Sequence, residues 1–250
     1  MPSEAPILSV RGLTKRFGGV TALEGVGFEL HRGEVLALAG DNGAGKSTLI
    51  KAISGVHQPD EGEIVYKGER VTLQNPRHAR EIGIETIYQD LALADNLDVG
   101  ANIFLGREPA APLFGLIPRL DRKRMRAAAR EVLAPLDVDL EERKLGLPVR
   151  SLSGGQRQAV AIGRAIFWNA ELLIMDEPTA ALGVPEQRKV IELIKSLRRQ
   201  NVAVIFISHN LVDIFAVADR ILVLRRGLAA GERRPEASSH DEIVRLMVGG

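Results

Sequence analysis

The sequence predicts an α/β fold: a mainly parallel sheet covered by helices, with an N-terminal antiparallel β region and an inserted α-helical subdomain. Three observations lead there. Val35-Leu36-Ala37-Leu38-Ala39 is a continuous apolar run ending in glycine, the pattern of a strand buried on both faces. Between Leu172 and Leu224, apolar runs alternate with helical stretches, as in a parallel sheet wrapped on both sides. From Asp90 to Pro148 the strand patterning largely disappears, which marks that stretch as an insertion.

The elements follow in chain order. Ile7-Leu8-Ser9-Val10 and Val26-Gly27-Phe28-Glu29-Leu30 read as two or three short strands with turns between them. A helix from Lys46 to Ile53 follows the apolar run at Val35, and Gly62 to Leu73 is hairpin-like, turning at Lys67-Gly68-Glu69. In the middle segment Pro109, Pro112 and Pro118 interrupt a loop, and Asp121 then opens a helix. Met125, Ala128, Ala129, Val132, Leu133 and Leu136 share one face of it. Its first turn carries Arg122-Lys123-Arg124, where positive charge opposes the helix dipole, so the run is either a solvated face or a contact for phosphate or a partner. Helix resumes from Gln158 to Trp168, followed by a strand at Leu172 to Met175, a helix at Pro185 to Arg199 and strands at Val202 to Ile207 and Ile221 to Leu224. The expected division is a single domain over 1–250, with 1–89 and 157–250 as the core and about 90–156 as the helical subdomain.

Composition removes several classes of function. The chain has 250 residues, 45% hydrophobic and 26% charged, as in ordinary globular proteins. A formal net charge of +1 gives no strong field for nucleic acid or anionic lipid. Cysteine is absent, which excludes disulfides and thiol catalysis and fits a reducing compartment. The N-terminus lacks the basic and apolar regions of a signal peptide, and no apolar run approaches the roughly 20 residues that span a bilayer. Any membrane association is expected to run through a partner.

The strongest chemical signal is Gly40-Asp41-Asn42-Gly43-Ala44-Gly45-Lys46-Ser47, a full G-x-x-x-x-G-K-[ST] match lying between a buried strand and a helix. Backbone N–H groups of such a loop curl around phosphate oxygens, and the helix N-terminus adds positive potential. Lys46 is then placed for the β- and γ-phosphates of a nucleoside triphosphate and Ser47 for Mg²⁺. This is a P-loop NTPase core. Asp176-Glu177 ends the strand Leu172-Leu173-Ile174-Met175. By itself such a pair reads as a turn or helix cap; after a complete phosphate loop, Asp176 reads as holding Mg²⁺ through water and Glu177 as orienting and deprotonating the attacking water. His209 ends the strand after Val204, at the same sheet edge, and Gln89 ends the apolar stretch before the helical segment. His209 can touch the γ-phosphate or the water if the strand order brings it beside Lys46, and Gln89 can reach Mg²⁺ or water.

Ser151-Leu152-Ser153-Gly154-Gly155-Gln156 poses a different question. Ser153 and Gln156 fit a capping box, yet two glycines occupy the first helical turn. Bare N–H groups there, with Ser153, make a second anion-binding surface. The residues permit both surfaces to act on one nucleotide within a chain.

With these pieces in order, the whole chain resembles the nucleotide-binding subunit of ABC transporters. Gly40 to Thr48 looks like Walker A, Leu172 to Pro178 like Walker B, and Leu152 to Gln156 like the family signature. Gln89 matches the Q-loop glutamine, His209 the switch histidine, and Phe17 the aromatic that stacks on adenine. The resemblance implies ATP and Mg²⁺ as ligands, with contacts from Phe17, Gly40, Asp41, Asn42, Gly43, Ala44, Gly45, Lys46, Ser47 and Thr48, metal contacts from Ser47, Gln89 and Asp176, and catalytic roles for Glu177, His209, Gln89 and Lys46. It implies that Ser153, Gly154, Gly155 and Gln156 close over the ATP of a second copy, giving a homodimer with two composite sites.

Segments Ile84 to Leu93, Asn96 to Val99, Asn102 to Glu108, Thr179 to Val184 and Ile207 to Asn210 look like the monosaccharide-import branch, with one cassette and without the regulatory domain of the maltose-type branch. The resemblance thus implies a cytoplasmic ATPase on the inner face of the cell membrane, working with permease subunits and, through them, an extracytoplasmic sugar-binding protein. The segment from Gln89 to about Arg107 is the expected permease-facing surface, with Leu97 and Phe104 on it. One departure stands out: Gly183 occupies the place of the family's D-loop aspartate, which puts an aspartate-mediated link between the two sites in doubt. The same motor residues serve import and export. A non-transport ABC ATPase acting on DNA or ribosomes is a second reading, opposed by the lack of long coiled coils, of a second cassette and of a basic stripe. A third, an inactive ATP clamp, is opposed by Glu177.

Overall fold

A computed structural model of the chain describes residues 5–113, 117–136, 141–180 and 182–249. Ala181, within the Thr179 to Val184 segment, lies outside the described residues. Strands β1 (Leu8–Phe17) and β2 (Val20–Leu30) form a long antiparallel hairpin whose tip presents Phe17. The sequence suggested two or three short strands here. Irregular register at Val10/Leu13, Leu13/Lys15 and Lys15/Arg16 explains the difference, because each bulge breaks the apolar alternation without ending the ladder. Next come β3 (Val35–Ala39), α1 (Lys46–Ile53), and the hairpin β4 (Glu61–Tyr66) and β5 (Glu69–Val71), turning at Lys67-Gly68 as expected. Sequence reading did not resolve α2 (Pro76–Glu81) or β6 (Ile84–Ile87) as elements, and both are short.

The middle segment holds α3 (Val99–Ile103), the ribbon β7 (Ala110–Leu113) and β8 (Ile117–Leu120), and α4 (Arg122–Leu133). The proline-rich loop is thus corrected to a two-stranded ribbon, in which Pro112 pairs with Pro118. A two-stranded ribbon has only edge strands, where a missing N–H is tolerated. Asp121 caps α4 by accepting from the Arg124 N–H at 2.9 Å, and Met125, Ala129 and Leu133 are buried as the helical spacing requires. Arg122, Lys123 and Arg124 are exposed. The rest alternates: α5 (Gly154–Phe167), β9 (Leu172–Asp176), α6 (Val184–Arg199), β10 (Ala203–Ile207), α7 (Leu211–Val217), β11 (Arg220–Arg225), β12 (Leu228–Arg233) and α8 (His240–Val248).

The central sheet has six strands in the order β12-β11-β3-β10-β9-β6, all parallel except the edge strand β12. A four-stranded antiparallel sheet, β2-β1-β4-β5, covers one side. Alternate residues of each central strand enter different cores. Leu36, Leu38, Ile174, Ile205 and Leu222 pack toward α1 and the antiparallel sheet, whereas Val35, Ala37, Met175, Phe206 and Val223 pack toward α5 and α6. Burial on both faces is why these strands read as unbroken apolar runs.

The second core continues into the middle segment through Ile103, Phe104, Met125, Leu133 and Val149. Phe104 was expected on the permease-facing surface, and the structure corrects this. Its ring is 3% exposed and lies 4.7 Å from Phe167 and 5.8 Å from Trp168, while Trp168 Nε1 donates to the Ile103 carbonyl at 2.9 Å. Phe104 thus belongs to the core that the middle segment shares with the central sheet. Phe104→Ala should therefore lower the unfolding free energy by about 3–5 kcal/mol. Urea denaturation of this variant beside Leu97→Asp provides the check: equal, small losses in both would place Phe104 outside the core.

Candidate functional site

Because β3, β10, β9 and β6 are neighbours and parallel, their carboxyl ends share one edge of the sheet, where ligands of such sheets sit. The loop from Gly40 leaves β3, His209 follows β10, Asp176 and Glu177 end β9, and Gln89 follows β6. Residues separated by more than a hundred positions are thus placed side by side. His209 Nδ1 and Glu177 Oε2 are 2.8 Å apart, with the imidazole largely exposed and the carboxylate largely buried. β10 lies beside β3, the strand that leads into the Lys46 loop.

The phosphate loop is held from below. The Gly227 N–H donates to the Ala44 carbonyl at 3.0 Å, and the Glu24 N–H donates to the Gly227 carbonyl at 2.9 Å. This closeness, more than the approach of a ligand, explains two of the glycines. A Cβ at Gly40 (φ 152°) would collide with the Leu224 carbonyl and sit 2.9 Å from the Ala44 Cβ; one at Gly45 (φ 106°) would lie 2.8 Å from the Ala22 carbonyl. Asp41, Asn42, Gly43 and Ser47 face outward, while Lys46 and Thr48 are half-buried. Lys46 Nζ donates to the carbonyls of Gly40 and Asp41, which holds the ammonium over the loop. Burial lowers the pKa of Lys46, opposed by Glu177, Asp41 and Asp176. Burial and the neighbouring Glu177 push the Asp176 carboxyl up, opposed by Lys46 and Lys51. The edge therefore concentrates two acids and one ammonium in a half-buried place.

Glu177 adopts φ 53°, unusual for a side chain with a Cβ, and its N–H donates to the Ile207 carbonyl at 2.9 Å. Two residues on, the buried Thr179 hydroxyl donates to the buried Asp213 carboxylate at 2.7 Å, tying the turn after β9 to the helix after His209. Thr179 was read only as part of the Thr179 to Val184 segment, and Asp213 was not singled out from sequence. Phe17 is 44% exposed, with its ring 5.1 Å from His57 in an edge contact and Lys15 Nζ 5.5 Å away. Gln89 is exposed and lines a cleft of about 320 Å³ with Gly154, Arg157 and Glu177.

Ser153 caps α5 as expected: its Oγ accepts from the Gln156 N–H at 3.3 Å, and Gln156 Oε1 accepts from the Ser153 N–H at 3.1 Å. A serine that accepts in a cap keeps its own O–H to donate outward. The two glycines have different surroundings. A Cβ on Gly154 would collide with the Leu182 side chain of the same chain, whereas one on Gly155 would meet only ordinary contacts, at 3.7 Å or more. Gly183 caps α6 without a side-chain hydrogen bond and has an ordinary φ of −67°, so no backbone strain demands glycine there.

A phosphate loop after the first parallel strand, with acids on a nearby parallel strand end, defines a P-loop NTPase. A model of the ABC transporter family matches residues 23–180. The chain is 46% identical over 241 residues to the xylose/arabinose import ATP-binding protein XylG of Sulfolobus acidocaldarius, covering 96% of this chain and 93% of that protein. It is also 46% identical to the fructose import ATP-binding protein FrcA of Rhizobium meliloti, covering 99% and 95% of the two chains. Among solved structures it superposes on the ADP conformation of an ATP-binding cassette of an ABC transporter, with a TM-score of 0.83 at 26% identity over 99% of this chain and all of that one. A dimeric bacterial ABC transporter cassette matches with a TM-score of 0.72, at 26% identity over 91% of this chain and 98% of that one. The chain belongs to the ABC transporter family and is one of its nucleotide-binding ATPase domains.

The burial cost at Asp176 has a measurable consequence. Its raised pKa means that the folded state disfavours the charged form, so a neutral isostere relieves a penalty present at pH 7. Asp176→Asn should raise the melting temperature of the nucleotide-free protein by about 2 °C or more. A lower melting temperature in calorimetry would show that the carboxylate is stabilising there.

Proposed function

We propose that the chain powers the import of a monosaccharide through separate membrane permease subunits. The observation that carries this reading is similarity along nearly the whole length to sugar-import ATP-binding proteins. A hydrolysis-capable arrangement supports it: a phosphate loop, Asp176 and Glu177, and a histidine on the Glu177 carboxylate. No described helix is long and apolar enough to cross a membrane, in keeping with a peripheral subunit that sits on the inner face of the membrane by holding its permease. An extracytoplasmic sugar-binding protein would deliver the cargo.

In this reading the base stacks on Phe17, and the phosphates lie along the N–H groups from Gly40 to Thr48 with Lys46 on the β- and γ-phosphates. Glu177 takes the proton of the attacking water, and His209 orients that carboxylate and reaches the γ-phosphate. Gln89 positions the water and reports the γ-phosphate to the middle segment. No group of three His, Cys, Asp or Glu residues forms a metal cage among the described residues. The oxygen donors at the site fit Mg²⁺ nonetheless, since that ion uses one or two protein ligands and fills its sphere with phosphate oxygens and water. Ser47, Gln89 and Asp176 would hold it, and it would supply charge neutralisation at the phosphates.

Residues from about 90 to 156 would form the body that meets the permease. With Phe104 in the core, the contact falls on a cleft of about 300 Å³ lined by Leu97, Ala101, Leu120, Met125 and Pro148. Ser153, Gly154, Gly155 and Gln156 would close over the nucleotide of a second copy, with Ser153 donating to the γ-phosphate.

Loss of uptake of a labelled monosaccharide on deletion, restored by the wild-type chain but not by Glu177→Gln, is the expected result; normal uptake without the chain sinks the proposal. Glu177→Gln should also trap ATP in a dimer on size exclusion. Mixing Lys46→Ala and Ser153→Arg subunits tests the shared site, because each mixed dimer keeps one intact composite site. Recovered ATP turnover is expected, and mixed dimers without activity would overturn the cross-subunit arrangement.

A further inference from the structure

Arg164 belongs to α5, yet nothing in the proposed chemistry uses it. It lies eleven residues beyond Ser153, about 16 Å along the same helix. Its two terminal nitrogens donate separately, Nη1 to the Ala92 carbonyl at 3.0 Å and Nη2 to the Leu91 carbonyl at 3.2 Å. These residues are the second and third after Gln89. Ala92 is held at φ 48°, a conformation that costs a residue with a Cβ about 1 kcal/mol or more, so the loop does not rest there unaided.

The charge of Arg164 is placed as deliberately as its hydrogen bonds. Burial pulls its pKa down, opposed by Glu85 on β6. Glu85 is itself a half-buried carboxylate, with Arg80, Arg164 and Arg107 as the cations acting on it. Arg164 thus touches the chain after Gln89 and faces a charge before it. One turn further, Trp168 Nε1 donates to Ile103, and the Arg107 guanidinium lies 4.5 Å over the Trp168 ring. The carboxyl end of α5 therefore grips the Gln89 loop and the helix that follows it, while the amino end of α5 carries Ser153.

We propose that Arg164 is a positioning residue for Gln89: by holding the Leu91 and Ala92 carbonyls it fixes the Gln89 loop to the signature helix, so that the two move together. The planar fork reaches the two carbonyls from separate nitrogens set in fixed geometry, which the single nitrogen of a lysine does not reproduce. The kinetic part of the proposal rests on the ATPase reading above; the mechanical part does not.

Hydrogen exchange on the full chain, with ATP turnover beside it, provides the test. Arg164→Gln should speed exchange of the loop amides from Asp90 to Leu93 about tenfold, with β9 and β10 unchanged. It should lower kcat about tenfold while KM for ATP stays within about twofold, and Arg164→Lys should fall between. Unchanged loop exchange, equal acceleration across β9 and β10, or a loss confined to KM would overturn the proposal. If Arg164→Gln does not fold, Arg164→Lys decides, and wild-type loop exchange in that variant counts against the role. A wild-type chain without ATP turnover would refute the functional reading and leave the exchange result to judge Arg164.

Discussion

Everything at the site depends on the parallel pairing of β3, β10, β9 and β6. Antiparallel pairing at any of these strands would send a functional loop to the opposite end of the sheet. With the observed order, the ammonium, the imidazole, the two acids and the glutamine leave from one edge in sequence. The pairing is enforced by burial on both faces. A strand whose alternate residues enter two separate cores, such as Val204 and Ile205, has no polar face to turn outward, and a one-residue slip would exchange the contents of both cores.

That rigid edge supports groups that are not at rest. Burial and the neighbouring Glu177 raise the cost of ionising Asp176, and the Glu177 backbone is held at positive φ. Such strain persists only where the surroundings over-determine it. Here the Ile207 carbonyl fixes the Glu177 amide, and the buried Thr179–Asp213 hydrogen bond anchors the turn on the other side. The Lys46 ammonium offsets part of the cost of the Asp176 charge, which couples the phosphate loop to the acids at the end of β9.

Much of this was legible in the sequence, for physical reasons. Fully buried strands leave unbroken apolar runs, and the helix boundaries at Lys46, Ser153 and Pro185 follow from a glycine loop, a capping box and a first-turn proline. Bulged strands and a proline ribbon were misread because their signals are lost alternation and missing N–H groups, which also mark loops. Phe104 was misplaced because its segment was assigned to a surface by its link to Gln89, and a segment's position in the chain is silent on which of its side chains turn inward. Arg164 and Asp213 were passed over because a charged residue in a helix resembles a solvated one until its partners, 72 and 34 positions away, are known.

The two glycines of the signature show how contact geometry refines a motif. From sequence, both read as side chains removed for one reason, to bare N–H groups for an anion. A Cβ on Gly154 would meet the tip of the Leu182 side chain, which can rotate away, and one on Gly155, buried beside Glu186 of α6, would make ordinary contacts, so packing within the chain demands glycine at neither position. A cap uses the Gln156 amide and leaves the first-turn amides directed out of the helix, beside a serine hydroxyl that can still donate. Glycine at 155 costs helix stability of up to about 1 kcal/mol. Ser153, exposed, and Gly154, half-buried, are therefore the part of the motif left open to anything outside the chain, while Gly155 is buried beside Glu186 of α6.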